Sequence, residues 1–271
     1  MRTWLFAKGH GTHNDFVLIN DRSGMLNPSD EDVRFLCDRR AGIGADGFLR
    51  AVKAEQLWFM DYRNADGSIA EMCGNGLRVF VKWLMEQDLV SGDTVDIATR
   101  AGIRHARTTW DGSISVTMGV PTWDMNPVTV TLGDRDYSGH PVDVGNPHCV
   151  VMVDSVEELN ELDLTSAVHS DHFPEGVNVE FVTIVGDSHL KMRVLERGVG
   201  ETMSCGTGVV AAALNERMRT STDHPDTLRQ AKFKVDVPGG RLKVEFDDQG
   251  EAQLIGPAVI IARGEVILPH G

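Results

Sequence analysis

Residues 70–80 read AEMCGNGLRVF and residues 201–214 read ETMSCGTGVVAAAL. Each stretch sets a cysteine, Cys73 or Cys205, directly before a Gly-x-Gly turn and an apolar run. After the first turn, Leu77, Phe80, Val81, Leu84 and Met85 recur at helical spacing, which predicts a helix over roughly 76–88. The second predicts a helix over roughly 207–219, apolar nearly all round its first two turns, as a buried helix would be. The two cysteines stand 132 residues apart, close to half of the 271-residue chain. Such self-similarity implies two related halves, each wrapping strands around one central helix.

Most of the remaining chain reads as short strands with period-two alternation, punctuated by Gly, Asp and Asn turns. TVDIATRAGIRHARTTWDGSISVTMG turns at Asp111 and Gly112, and AKFKVDVPGGRLKVEFDDQGEAQLIG turns at Gly239 and Gly240. Shorter amphipathic helices are expected over 29–40 and 156–162. The expected fold class is α+β, with two pseudo-symmetric domains, each a β-sheet or barrel around its central helix. The boundary falls near Pro121, giving domains over 1–121 and 122–258. The last strand, in 259–271, suits either half and is assigned to complete the first. The polar segment TSTDHPDTLRQ, 220–230, reads as an exposed loop.

Composition bounds the function. Hydrophobic residues at 41% and charged residues at 24% are globular values, and no apolar run approaches the roughly 20 residues that cross a bilayer. The opening MRTWLFAKGHG is too short in apolar residues for a secretory leader, so a cytoplasmic location is expected. A formal charge of −14 without any basic block argues against nucleic acid and anionic membranes as partners. The four cysteines show neither disulfide-scaffold density nor close C-x-x-C pairs, so no metal is expected.

A helix N-terminus presents unpaired N–H groups and the positive end of the macrodipole, so a thiol there should ionise more readily than a free one. The same N–H groups bind a carboxylate. Glycines at 74, 76, 206 and 208 leave that backbone uncovered. The ordinary alternative is that cysteine is a much-buried residue which happens to stand at a helix entry, but it does not account for the matched pair. Two equivalent acid/base groups around one carboxylate site suit inversion of an α-carbon. One thiolate removes the α-proton from one face while a thiol returns a proton to the other. Donors in a dry pocket would stabilise the charge that grows on the carboxylate. No glycine-rich phosphate loop precedes a Lys-Ser or Lys-Thr, and no lysine lies in either motif to form a Schiff base, so no cofactor is expected.

At this point the residues resemble the diaminopimelate epimerase family of pyridoxal-phosphate-independent amino-acid epimerases. The resemblance runs through KGHGTHNDFV (8–17), GIGADG (42–47), YRNADGSIAEMCGNGLR (62–78), VGNPHCV (144–150), GVNVEFV (176–182) and ERGVGETMSCGTG (196–208). It implies an active site in the cleft between the domains and interconversion of LL- and meso-diaminopimelate for lysine and peptidoglycan synthesis; the expected partners are that small-molecule substrate and a second copy of the chain in a homodimer. By the resemblance Cys73 and Cys205 are the two bases, and His148 and Glu196 stand beside them. Gly74, Asn75, Gly76, Gly206 and Thr207 belong to the α-carboxylate site, and Asn14, Asn64, Asn146, Asn178, Glu196 and Arg197 bind the rest of the substrate. Arg197 suits bidentate pairing with a carboxylate. Cys37 and Cys149 match no catalytic position; Cys149 neighbours His148 in an extended strand, so the two point to opposite faces and Cys149 reads as core. The departures are His13, where glycine is common, and Val79, where cysteine is frequent.

Three other readings compete. A proline racemase or hydroxyproline epimerase shares the two-cysteine logic, but its pattern has histidine where Asn75 stands. A thiol hydrolase pairing one cysteine with His148 leaves the duplication unexplained. A non-catalytic binder of zwitterionic metabolites makes both cysteines bystanders.

Overall fold

The computed structural model describes residues 2–221 and 232–269. The chain forms β1 (Arg2–Gly11), β2 (Asn14–Asn20), α1 (Asp30–Cys37), β3 (Gly47–Ala54), β4 (Leu57–Asn64), α2 (Gly74–Glu86), β5 (Thr94–Thr99), β6 (Gly102–Thr108) and β7 (Ile114–Gly119). Next come β8 (Thr122–Trp123), β9 (Val128–Leu132), β10 (Arg135–Asp143), β11 (Pro147–Met152), α3 (Val156–Glu161), β12 (Val168–His169), β13 (Asn178–Gly186) and β14 (His189–Glu196). The remainder is β15 (Gly200–Thr202), α4 (Gly206–Ser221), β16 (Lys232–Val237), β17 (Gly240–Phe246), β18 (Ala252–Gly256) and β19 (Val259–Leu268). Thr220 and Ser221 end α4; the rest of the polar segment 220–230 lies outside the described residues.

These elements fall into two compact units, residues 1–116 with 256–271 and residues 117–255. In the first, β1 pairs antiparallel with β2, β2 parallel with β3, β3 antiparallel with β4, β4 parallel with β5, and β5, β6 and β7 follow antiparallel. The second repeats that succession through β10, β11, β13, β14, β16, β17 and β18. A parallel pair needs a crossover, and each is made through a helix: α1 and α2 in the first unit, α3 and α4 in the second. The duplication visible at the cysteines therefore extends to strand pairing. The last strand, which by its sequence suits either half and is expected with the first, pairs with β1 from Arg2↔Leu268 to His10↔Val259.

The Phe16–Ile19 run of β2 is buried without alternation because a helix covers each face, as parallel-paired strands require. Val17 and Ile19 share a core with Val33 and Leu36 of α1, and with Trp4 and Leu268 from β1 and β19. Phe16 points the other way, against the first turn of α2. α2 packs on β1 to β4 and β19 and buries ten of its residues. α4 is buried from Val209 to Leu214 on every side, which its succession of Val, Ala and Leu anticipates.

Candidate active site

Each cysteine caps the N-terminus of its unit's central helix. Cys73 has extended backbone angles (φ −143°, ψ 115°), and its sulfur accepts the N–H of Gly76 at 3.3 Å. The Cys205 sulfur accepts the N–H of Gly208 at 3.4 Å. In both, sulfur takes the place of the serine or aspartate oxygen that usually accepts from the third residue of a helix. The N–H groups of Gly206 and Thr207 in the first turn of α4 have no acceptor within the helix.

In the first unit the Cys73 thiol donates to Asn14 Oδ1 at 3.7 Å, and that oxygen also accepts from Asn75 Nδ2 at 3.2 Å. Asn14 Nδ2 donates to Asp46 Oδ2 at 2.9 Å. Arg39 bridges Asp46 and Asp15 at 2.7 Å each, and Lys8 reaches Asp15 at 2.6 Å. Burial works against the Asp15 charge, but the hydrogen bonds from Arg39 and Lys8 overcome it and hold the carboxyl well below its usual range. Asn14 is thus aimed at Cys73 by a fixed ionic network. Asn64 serves a separate turn, accepting from Tyr62 Oη at 3.0 Å and donating to Ser68 Oγ at 3.0 Å.

In the second unit Cys205 lies 3.4 Å from Thr207 Oγ1. Burial, and after it the carboxylates of Glu196 and Glu180, push the Cys205 thiol well up, with Thr207 and Gly208 acting weakly the other way. The expected easing of ionisation at a helix terminus is reversed at this cysteine, because dehydration of a thiolate and two nearby anions outweigh a few N–H groups. His148 Nδ1 lies 2.7 Å from Glu180 Oε1, with both side chains fully buried, and His148 Nε2 lies 3.0 Å from Asn146 Oδ1. Both ring nitrogens are thereby taken up, and neither bonds a cysteine. Glu196 Oε1 accepts from Thr202 Oγ1 at 2.5 Å. The Asn178 side chain donates to the carbonyl of Pro147 at 3.0 Å and accepts the N–H of Arg197 at 2.9 Å, so it clips two loops together. Arg197 is exposed, and with Glu196 it lines a cavity of about 360 Å³.

Cys37 and Cys149 are buried, and burial pushes each thiol up to about 12. Two charged residues that the sequence did not single out lie within electrostatic reach of the thiols, Glu180 near Cys205 and Arg78 near Cys73. Glu180 had one signal: it follows Asn178 by two residues in a strand and so shares its face.

The fold is that of two-domain α+β proteins in which each domain's sheet wraps a central helix. It is shared with a Bacillus anthracis phenazine biosynthesis protein of the PhzF family (TM-score 0.76, 16% identity, 99% of this chain and 100% of that one). A probable proline racemase from Agrobacterium radiobacter K84 has it too (TM-score 0.73, 16% identity, 98% and 93%). Sequence is more specific than fold. The family profile described as Diaminopimelate epimerase matches residues 6–123 and 141–266. A diaminopimelate epimerase of Corynebacterium glutamicum (strain R) is 47% identical over 278 aligned positions, spanning 96% of this chain and 97% of its own. The chain belongs to the diaminopimelate epimerase family, whose members are isomerases.

Proposed function

We propose that this chain interconverts LL- and meso-diaminopimelate without a cofactor, using Cys73 and Cys205 as the two bases on opposite faces of one α-carbon. The observation that carries the reading is the pair of cysteine-capped buried helices, one in each of two units with the same strand pairing, in a chain 47% identical to a diaminopimelate epimerase.

In the proposed reaction the thiolate of one cysteine takes the α-proton, becoming a thiol, and the electron pair of the C–H bond passes into the α-carbon and its carboxylate. The other cysteine, as a thiol, gives its proton to the opposite face and is left as the thiolate. The first-turn N–H groups of Gly74, Asn75, Gly206 and Thr207 would hold the carboxylate while that charge grows, and Gly76, whose N–H is taken by the Cys73 sulfur, would leave the backbone open to its approach. Asn14, Asn64, Asn146, Asn178, Glu196 and Arg197 would hold the rest of the substrate, with His148 and Glu196 governing the thiols. Burial and carboxylates favour Cys205 as the thiol when no substrate is bound, which suits the acid role.

The proposal extends to a cytoplasmic homodimer serving lysine and peptidoglycan precursor synthesis. The exposed apolar side chains Leu5, Ile261 and Ile267 on β1 and β19 supply a surface for a second copy. The test is incubation of reduced, folded protein with LL-diaminopimelate in deuterated water, following α-deuterium and stereochemistry. Exchange with formation of the meso isomer is expected; no exchange sinks the proposal. Cys73→Ala and Cys205→Ala are each expected to abolish epimerisation, since each face needs its own base, and full activity in either refutes the two-base assignment.

A further inference from the structure

Arg78 is fully buried, the bulkiest side chain in the molecule to be so among the described residues. Its Nη1 donates to the carbonyl of Gly74 at 3.3 Å and its Nη2 to Asn75 Oδ1 at 2.9 Å, while Nε is buried without an acceptor. Other part-buried arginines of this unit have carboxylates: Arg50, Arg63 and Arg100 gather on Asp61. Arg78 forms no ion pair with any described residue. A buried guanidinium without an anion is an expensive feature to keep. Its position does not help the helix either, since a cation near the first turn opposes the macrodipole.

We infer that Arg78 is a positioning residue for the proposed reaction, the buried counter-charge of the Cys73 thiolate and the anchor that aims Asn75 and Asn14 at its sulfur. The inference rests on the reading of Cys73 as a base. The geometry has two parts. Arg78 reaches back over one helical turn to the carbonyl adjoining Cys73. By holding Asn75 Oδ1 it turns Asn75 Nδ2 to Asn14 Oδ1, the same oxygen that accepts the hydrogen bond of the Cys73 thiol. The enclosure is tight, since a Cβ on Gly11 would stand 3.0 Å from Arg78 Nη2. Burial pulls Arg78 down to about 10, still charged at neutral pH, and Cys73 is the group whose negative charge opposes that pull.

The ion pairs made by the strands packed against α2 leave Arg78 out, and Glu265 of β19 is exposed. Lys8 of β1 pairs with Asp15 of β2, Arg50 of β3 with Asp61 of β4, and Arg263 of β19 with Glu86. His10 of β1 is lowered by burial and by His13. The other half-site has the opposite sign: Val210 stands five residues after Cys205, as Arg78 does after Cys73, and the charges near Cys205 are carboxylates. Each cysteine would thus be biased toward a different protonation state.

The test is site-resolved iodoacetamide labelling of Cys73 against pH, read by peptide mass in the full chain. In Arg78→Met the half-labelling pH should rise by about one unit or more, the scale of losing a nearby opposite charge. Arg78→Lys should return it most of the way, and the acid limb of kcat/KM should move with it. An unchanged half-labelling pH in folded Arg78→Met overturns the inference. If that variant does not fold, the melting midpoint of the wild type should gain on that of Cys73→Ser as pH rises, because a charged sulfur stabilises the buried cation; a difference flat with pH overturns it equally. Labelling does not require turnover, so failure here and failure of the epimerase reading are separable.

Discussion

At the scale of single residues, the two thiols have the same backbone role and opposite electrostatic surroundings. The cysteines were legible in the sequence because their context occurs twice. Glu180 and Arg78 were not, because a buried charge inside an apolar stretch carries no mark of what it faces. Glu180 meets His148 only because β11 and β13 run side by side in parallel register, and Arg78 reaches the two residues after Cys73 through a backward-pointing side chain. Gly208 shows how closely this is fitted, since a Cβ there would stand 2.5 Å from Glu180 Oε1. Gly208→Ala is expected to displace that carboxylate and lower stability by about 1–3 kcal/mol, measured as the urea midpoint. Epimerisation should fall further than the stability loss explains, because the His148–Glu180 pair moves as well.

At the scale of elements, the helices were the legible part. Apolar spacing over 76–88 and 207–219 corresponds to Gly74–Glu86 and Gly206–Ser221, and both starts lie earlier because cysteine sulfur replaces the usual capping oxygen. The strands were legible as strands, but their partners were not. Local alternation marks which face is buried and says nothing of whether the neighbour runs parallel or antiparallel. The parallel pairs follow from crossovers through helices, which appear only once the chain is folded. α4 sets a strict limit on volume, for Ala211, Ala212 and Ala213 are all fully buried. Ala212→Leu is expected to overpack this centre and cost about 1–3 kcal/mol, read from the urea midpoint, with the effect in the second unit.

At the scale of the whole molecule, the fold keeps three thiols, Cys37, Cys149 and Cys205, out of water. Two of them are raised from 9.0 to about 12, and the third is raised as well. In the unfolded chain these thiols lose protons near 9 while the folded chain retains them, so the folded state binds more protons and stability falls as pH rises from about 9 toward 12. Each buried thiol contributes on the order of 1 kcal/mol per pH unit within that window. The urea midpoint should therefore decline between pH 8.5 and 10.5, and Cys37→Ala with Cys149→Ala should flatten the decline. A slope unaffected by these replacements contradicts the assignment. One further consequence lies in the pairing of β1 with β19. A ribosome delivers 117–255 as one unbroken stretch, whereas 2–116 must wait until 259–268 has emerged. The usual order of synthesis is thereby inverted: the later-made unit is the first that can close its sheet, and β1 stays an open edge, in need of protection from other nascent chains, until β19 has been made.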